Sequence, residues 1–280
     1  MPVVYNLPQL YKLCEKSSQS AKDNLIKVHR ELLCNPLKTI FPKRTIEEIH
    51  FELLRNGLFD PYEGLDIAAT IKELEQQNVW GIVQKEFEKL RSLWRGPDIP
   101  IYIFPLTKHR PMIDGMEVKK NGVAYNDAIF LFISKELVEI ELKALLAHEY
   151  HHICRLSHIK KAPQEIELIE SLIIEGMAEW EVEKLYGEAG LSPWTKQSSF
   201  EELKEQWQKY YAPNMYLLGV ENHYSFLYGD ESLGLPSWIG YCIGYRIIES
   251  YVKNVGSVES SVFYRISSEK IIQGSDFKPS

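Results

Sequence analysis

The residues with the clearest chemical potential form a short run near the middle of the chain, His148-Glu149-Tyr150-His151-His152. On an α-helix, residues four apart lie one turn apart on the same face, so His148 and His152 can direct both imidazoles at one metal ion. Glu149 lies about 100° further around such a helix, where its carboxylate can reach a water molecule beside the metal. Two ligands and a base on one helical turn are typical of a zinc hydrolase.

A third ligand is expected on the next helix along the chain, and Glu175 is the candidate. On that helix Glu175 and Glu179 share a face with Leu168 and Leu172. A carboxylate on an apolar face is costly unless it is paired or binds a metal. We expect Glu175 to complete a zinc site and Glu179 to accept a hydrogen bond from a ligand histidine. Glu170 and Glu179 are the alternatives for the third ligand, whereas His151 lies outside the ligand spacing.

The reaction also needs a donor that stabilises the oxyanion formed at the attacked carbonyl. Tyr241, Tyr245 and His223 are the candidates. Tyr241 and Tyr245 are four residues apart on a predicted helix, each preceded by a glycine, and we favour Tyr241. An extended substrate would bind by pairing with a predicted edge strand, whose residues are Gly122, Val123, Ala124 and Tyr125.

The elements that must position these residues differ between the two parts of the chain. Before residue 95 the apolar residues recur at helical spacing, as in Ile46, Ile49 and Leu53, and Thr45 with Glu48 predicts a capping box at the start of one helix. After a turn cluster at residues 95–98, short apolar and β-branched runs predict strands. These strands are expected at residues 99–104, 122–125 and 128–133.

Three longer helices follow the predicted strands. The first is expected to begin after Ser134 as N-cap and to reach about Leu156, so that it carries both histidines. The second is expected over residues 165–186 with a stop at Gly187, and the third over residues 237–253. The sequence therefore predicts a mainly helical α+β fold, with a helical region at residues 1–95 and a second domain at residues 96–280.

Two further motifs extend the pattern beyond the histidine run. They are Glu175-Gly176-Met177-Ala178-Glu179 and Gly240-Tyr241-Cys242-Ile243-Gly244-Tyr245. Together with Leu146-Ala147 and the histidine run, they make residues 99–251 resemble the YjaZ-like family of predicted zinc-dependent proteases. The His-Glu-x-x-His run followed by a glutamate also looks like the gluzincin branch of zinc metallopeptidases. The resemblance implies a zincin-like core and a metallopeptidase activity.

The mechanism expected on this basis uses zinc as Lewis acid and Glu149 as general base. Glu149 would take a proton from the attacking water and pass it to the leaving nitrogen. Three alternatives stay open at this point. They are a zinc hydrolase of another amide or ester, a non-catalytic regulatory or binding protein with a metallopeptidase-like fold, and a helical protein that binds no metal.

Composition narrows the possible partners. The formal net charge is −7, the charged fraction is 25%, and no basic stripe suited to nucleic-acid phosphates occurs. The four cysteines are widely spaced, so we expect free thiols rather than a disulfide framework. The first residues lack a signal-peptide pattern, and no apolar run is long enough to span a membrane. We therefore expect a cytoplasmic protein that acts on a peptide or protein substrate, with its oligomeric state left open.

Overall fold

A computed structural model of the protein describes residues 2–109 and 118–279, apart from the side chains of residues 64–66. It confirms a mainly helical α+β fold with one small sheet. None of the described helices combines the length and apolar character that crossing a membrane requires. The strands are β1 Ile101–Pro105, β2 Lys120–Tyr125 and β3 Ala128–Ile133. The helices are α1 Leu7–Gln19, α2 Leu25–His29, α3 Ile46–Arg55, α4 Gly64–Gln76, α5 Val79–Trp94, α6 Glu139–Ile159, α7 Leu168–Tyr186, α8 Phe200–Gln206, α9 Tyr224–Tyr228, α10 Ile239–Val255, α11 Ser260–Phe263 and α12 Ser268–Gly274.

The chain forms two compact units. The first contains residues 1–89 and 98–149, and the second contains residues 90–97 and 150–280. The boundary between the units falls within α5, after residue 89, and within α6, after residue 149. The domain boundary expected after residue 95 stays a prediction.

In the first unit, β3 is the central strand of a three-stranded sheet. It pairs in parallel with β1 and antiparallel with β2, so β2 lies at an edge of this sheet, as the sequence predicted. All six residues of β3 are buried, whereas all six of β2 are half-buried. A short apolar run that is buried throughout is typical of a central strand.

The pairing register decides which side chains share a face of this sheet. Tyr102 opposes Phe130 and Phe104 opposes Phe132, and these four rings stack along one face. Because successive residues of a strand point to opposite faces, Gly122 lies on the other face, opposite Leu131. The sheet therefore has an aromatic face and an aliphatic face, and Gly122 belongs to the aliphatic one.

The capping signals at the starts of α3 and α6 have different outcomes. The predicted capping box at Thr45 is confirmed, because its hydroxyl accepts from the backbone N–H of Glu48 while the Glu48 carboxylate accepts from the N–H of Thr45. The prediction that Ser134 caps α6 is wrong, because that helix begins at Glu139. A turn follows Ser134 instead, and the Glu141 carboxylate accepts from the N–H of Val138.

Two buried histidines of α2 and α3 hydrogen-bond to each other in the first unit. Nδ1 of His29 lies 3.0 Å from Nε2 of His50, and Nε of Arg30 donates to Nδ1 of His50 at 3.2 Å. Because arginine can only donate, the proton of His50 lies on Nε2 and is donated to His29. Burial lowers the pKa of His29 to about 3 and that of His50 to about 4, so both rings are neutral at pH 7.

This pair predicts acid-sensitive stability. Unfolded histidine titrates near pH 6.5, so below that pH the unfolded chain binds more protons than the folded chain. The free energy of unfolding therefore decreases as the pH is lowered. For His29 alone we expect a loss of about 2 kcal/mol between pH 7 and pH 5. Urea unfolding at both pH values should show this loss in the wild type and a smaller one in His29→Gln. The exposed His109→Gln serves as control, and equal pH dependence in wild type and His29→Gln would contradict the assignment.

The core of the second unit is built where α7 crosses α10. A methyl group added to Gly176 would overlap the backbone carbonyl of Gly244, and one added to Gly244 would overlap the carbonyl of Leu172. The two glycines thus allow direct contact between the helix backbones. Around this crossing lies a continuous apolar cluster that includes Leu168, Ile173, Met177, Trp207, Ile243, Ile247 and Phe277.

A buried ion pair joins α6, α7 and the chain after α11 within the second unit. The Arg155 guanidinium donates to both carboxylate oxygens of Glu170, at 2.6 and 2.9 Å, and also to the backbone carbonyls of Tyr264 and Ile266. Ser268 donates its hydroxyl to the same carboxylate. Both charged groups are buried, and each is satisfied by several hydrogen bonds.

Replacing one partner of this pair should be strongly destabilising. We expect Arg155→Met to lower the free energy of unfolding by about 3–5 kcal/mol, because Glu170 is left as an uncompensated buried charge. The double variant Arg155→Met/Glu170→Met should be less destabilised than Arg155→Met alone. Arg246→Met is the matched control, because its pair with Glu249 is partly exposed and contributes about 1 kcal/mol or less. Denaturant unfolding measures the free energy of unfolding of both variants. A loss in Arg155→Met as small as that in Arg246→Met would refute the prediction.

Candidate metal site

Helix α6 carries both histidines of the candidate site. Its buried residues include Leu146, Tyr150 and Ile153, which fix the rotation of the helix about its axis. Tyr150 stacks on Trp94 and donates its hydroxyl to the carbonyl of Pro97. The face that carries His148 and His152 is therefore held by packing on the other side of the helix.

His151 lies on a different face of α6 from the two candidate ligands. Its ring is fully buried and meets the rings of Trp94 and Tyr264 edge-on, with centroids 5.2 and 6.3 Å away. Among the described residues, the group that could hold a metal consists of His148, His152 and Glu175 and does not include His151. Its surroundings are those of a core side chain.

Helix α7 supplies the carboxylate. Glu175 precedes Gly176, so the contact between α7 and α10 fixes the position and rotation of the helix at this residue. One Glu175 oxygen lies 3.5 Å from Nε2 of His152. The ligand atoms of His148, His152 and Glu175 all lie within 4.8 Å of one another. The structure thus brings together the three residues that the spacing selected.

The donor set matches the requirements of zinc. Catalytic zinc sites commonly use two imidazoles and one carboxylate, each about 2.0–2.2 Å from the ion. Two such donors at a tetrahedral angle are separated by about 3.3–3.5 Å, close to the 3.5 Å between His152 and Glu175. His148 and His152 come from one helical turn and need no loop movement to face a common point. The residues present therefore fit a zinc ion.

The alternative ligands on α7 have other partners. Glu170 is bound by Arg155 in the buried ion pair. Glu179 is buried and accepts from both the backbone N–H and the hydroxyl of Ser192, at 3.1 and 2.6 Å. These contacts favour Glu175 over both alternatives. The role of Glu179 as partner of a ligand histidine stays a prediction.

Glu149 is buried against the sheet of the first unit. A Cβ atom added to Gly122 would lie only 2.5 Å from both Cγ and Oε1 of Glu149. The carboxylate of the predicted base thus rests against the backbone of the edge strand β2. Glu149 directly follows His148 in the chain, so the base and a ligand share one helical turn.

The substrate-binding assignment concerns the four residues at the end of β2. Within the described part of the chain, β2 pairs with β3 and with no further strand. Gly122, Val123, Ala124 and Tyr125 all lie in β2 and are half-buried. Tyr125 also donates its hydroxyl to Glu52 at 2.9 Å. Binding of a peptide here stays a prediction.

The three candidate oxyanion donors differ in what they contact. His223 is fully buried, with Nδ1 2.8 Å from the Ser171 hydroxyl and Nε2 2.9 Å from the Leu217 carbonyl, and burial lowers its pKa. Tyr245 donates its hydroxyl to the Glu183 carboxylate, and burial raises the tyrosine pKa. The hydroxyl of Tyr241 lies 3.2 Å from that of Tyr228. A phenol bonded to another phenol can be redirected at lower cost than one bonded to a carboxylate.

Two hydrogen-bond partners of the predicted site residues have no signal in the sequence. Ser192 binds Glu179, and Tyr228 is the hydroxyl partner of Tyr241. Trp194 and Trp238 stack beside Tyr241 with centroids 4.3 Å apart, and Trp238 has a positive φ of 61°. No spacing rule connects these residues, because they come from loops and short helices distant in sequence.

Comparison with known proteins is consistent with this geometry. A family model described as "Predicted Zn-dependent protease (DUF2268)" matches residues 79–273, more than half of the chain. The uncharacterized protein YjaZ of Bacillus subtilis (strain 168) is 31% identical over 218 residues, covering 78% of this chain and 82% of that protein. The uncharacterized protein YjfC of the same organism is 26% identical over 144 residues, 47% of this chain and 46% of its own length. No solved structure matches the chain.

Proposed function

Because the chain belongs to the family of predicted Zn-dependent proteases, we propose that it is a zinc-dependent hydrolase and, more specifically, a metallopeptidase of the gluzincin type. The observation that carries this proposal is the convergence of His148, His152 and Glu175 within 4.8 Å. A structural zinc site would need no base beside its ligands, whereas Glu149 occupies the adjacent position. The wider proposal is a zincin-like domain at residues 96–280 that follows a helical region at residues 1–95.

The three ligands would hold zinc through two imidazole nitrogens and a carboxylate oxygen. When bound, zinc supplies Lewis-acid polarisation of a carbonyl and lowers the pKa of water towards about 7. Three protein ligands are typical of a catalytic zinc site, whereas a structural zinc site uses four. Glu179 would orient a ligand imidazole by accepting a hydrogen bond from its other nitrogen.

Glu149 would serve as general base and then as general acid. Its carboxylate accepts a proton from the attacking water and delivers this proton to the nitrogen of the cleaved bond. Burial against β2 restricts its rotamers, which keeps the carboxylate at one place during the transfer. Tyr241 would donate its hydroxyl hydrogen to the oxyanion. It would then no longer donate to the hydroxyl of Tyr228.

The edge strand supports peptides as the substrate class. An extended peptide that pairs with β2 would pass beside Glu149, because the strand backbone at Gly122 adjoins this carboxylate. Main-chain pairing binds a peptide with little dependence on its side chains, and a small ester offers no strand to pair. These contacts favour a peptidase over a hydrolase of small amides or esters.

The proposal is tested by assaying the zinc-loaded full chain against a peptide library and against small amide and ester substrates. We expect about one zinc per chain and cleavage of peptides that is abolished by a chelator and restored by zinc. Glu149→Gln, prepared in parallel, controls for contaminating proteases. Zinc-dependent turnover of small esters alone would replace the peptidase assignment, and absence of zinc binding would refute the proposal altogether.

A further inference from the structure

We propose that Gly122 is a positioning residue for Glu149, and that the missing side chain in β2 is what allows the carboxylate to lie against the strand. The inference rests on the proposed role of Glu149 as base. It assigns to Gly122 a function distinct from pairing with substrate: this residue determines where the base is held.

The steric observation is direct. A methyl group at Gly122 would lie 2.5 Å from Cγ, 2.6 Å from Cδ and 2.5 Å from Oε1 of Glu149. Real Cβ atoms do not approach other atoms this closely, so one of the two groups would have to move. Because Cγ lies in the middle of the side chain, a small rotation of the carboxylate alone would not relieve the overlap. Glu149 is buried, which leaves few other rotamers open.

The backbone of β2 gives no separate reason for a glycine. Gly122 is not among the described glycines with positive φ, so an L-amino acid could adopt its conformation. Its neighbours pair in regular antiparallel register with β3, from Lys120 to Tyr125. Glycine inside a strand is destabilising relative to alanine. The space needed by Glu149 is the physical reason that offsets this cost.

Displacing the base should affect turnover more than binding. A misplacement of about 1 Å in a reacting group can cost about 100-fold in rate. We therefore expect Gly122→Ala to lower kcat by about 10–100-fold, with KM and zinc affinity within about threefold of wild type. Gly81→Ala is the matched control in the same unit, because the three atoms nearest to its added Cβ all belong to the flexible side chain of Asn78. It should leave activity unchanged.

A double-mutant cycle separates positioning from general damage to the strand. If Gly122 acts through Glu149, adding Gly122→Ala to Glu149→Gln should reduce the residual rate by less than about twofold. A multiplicative loss in the double variant would overturn the inference, because it would show an effect independent of the base. Retention of wild-type kcat by the folded Gly122→Ala protein would also overturn it.

A second measurement does not depend on catalysis. Gly122→Ala is also combined with Glu149→Ala, which removes the side chain that the added methyl group would overlap. In the wild type, Gly122→Ala should lower the melting temperature by about 2–4 °C. In Glu149→Ala, the same substitution should leave the melting temperature unchanged or raise it. Crystal structures should show Glu149 in a different rotamer in Gly122→Ala. An unmoved carboxylate would overturn this inference even if the wild type is an active peptidase. An inactive wild type combined with a moved carboxylate would instead refute the proposed function alone.

Discussion

Glu149→Gln is expected to bind zinc as tightly as the wild type and to lose about 10²–10⁴-fold in kcat. The amide is nearly isosteric with the carboxylate, so it can occupy the same buried space beside Gly122. It cannot accept the proton of the attacking water. Glu149 is not among the three residues whose ligand atoms converge, so the metal site should stay intact.

The measurement combines zinc titration against a chromophoric chelator with steady-state kinetics on the best library peptide. Glu205→Gln, on the exposed surface of α8, is the control for a generic loss of one negative charge. Wild-type activity in Glu149→Gln would show that another group takes the proton. Loss of zinc in this variant would show that Glu149 is a ligand rather than the base.

His152→Ala is expected to lose both zinc and activity. His152 lies one helical turn from His148 and 3.5 Å from Glu175, so it connects both halves of the ligand set. Removal of an outer partner of a metal ligand costs about 10–100-fold in metal affinity, and removal of the ligand itself should cost more. We therefore expect the activity of this variant to fall to the background rate at micromolar zinc.

The control for this variant is His158→Ala, an exposed histidine on the same helix. It should keep one zinc per chain and full activity. Metal content by mass spectrometry after gel filtration, and activity over a range of added zinc, distinguish weak binding from none. If His152→Ala bound zinc like the wild type, the ligand set proposed above would be incorrect.

Much of the secondary structure could be predicted from local sequence. The strand at residues 128–133 was predicted with its observed bounds, because six consecutive apolar residues flanked by polar ones have few alternatives. The end of α7 at Gly187 follows from the positive φ of that residue. The helix start predicted after Ser134 lies four residues before the observed start of α6 at Glu139, because Ser134 and the Glu141 carboxylate both offer capping groups and the sequence does not rank them.

In the candidate site, too, local sequence predicts some features and only the folded chain shows the others. His148 and His152 follow from helical periodicity, and Glu175 follows from the cost of an acid on an apolar face. The contacts that select Glu175 over Glu170 and Glu179 depend on Arg155 and Ser192, which reach these acids only after the chain has folded. Non-local contacts of this kind have no spacing signature. The contact between the Glu149 side chain and Gly122 is likewise non-local and could not be predicted from spacing.

An anomalous diffraction map of the zinc-soaked protein, recorded at the zinc absorption edge, would locate the bound metal. We expect one strong peak about 2.0–2.2 Å from imidazole nitrogens of His148 and His152 and from a carboxylate oxygen of Glu175. A peak held by other residues, or no peak at these three side chains at saturating zinc, would show that His148, His152 and Glu175 are not a zinc site.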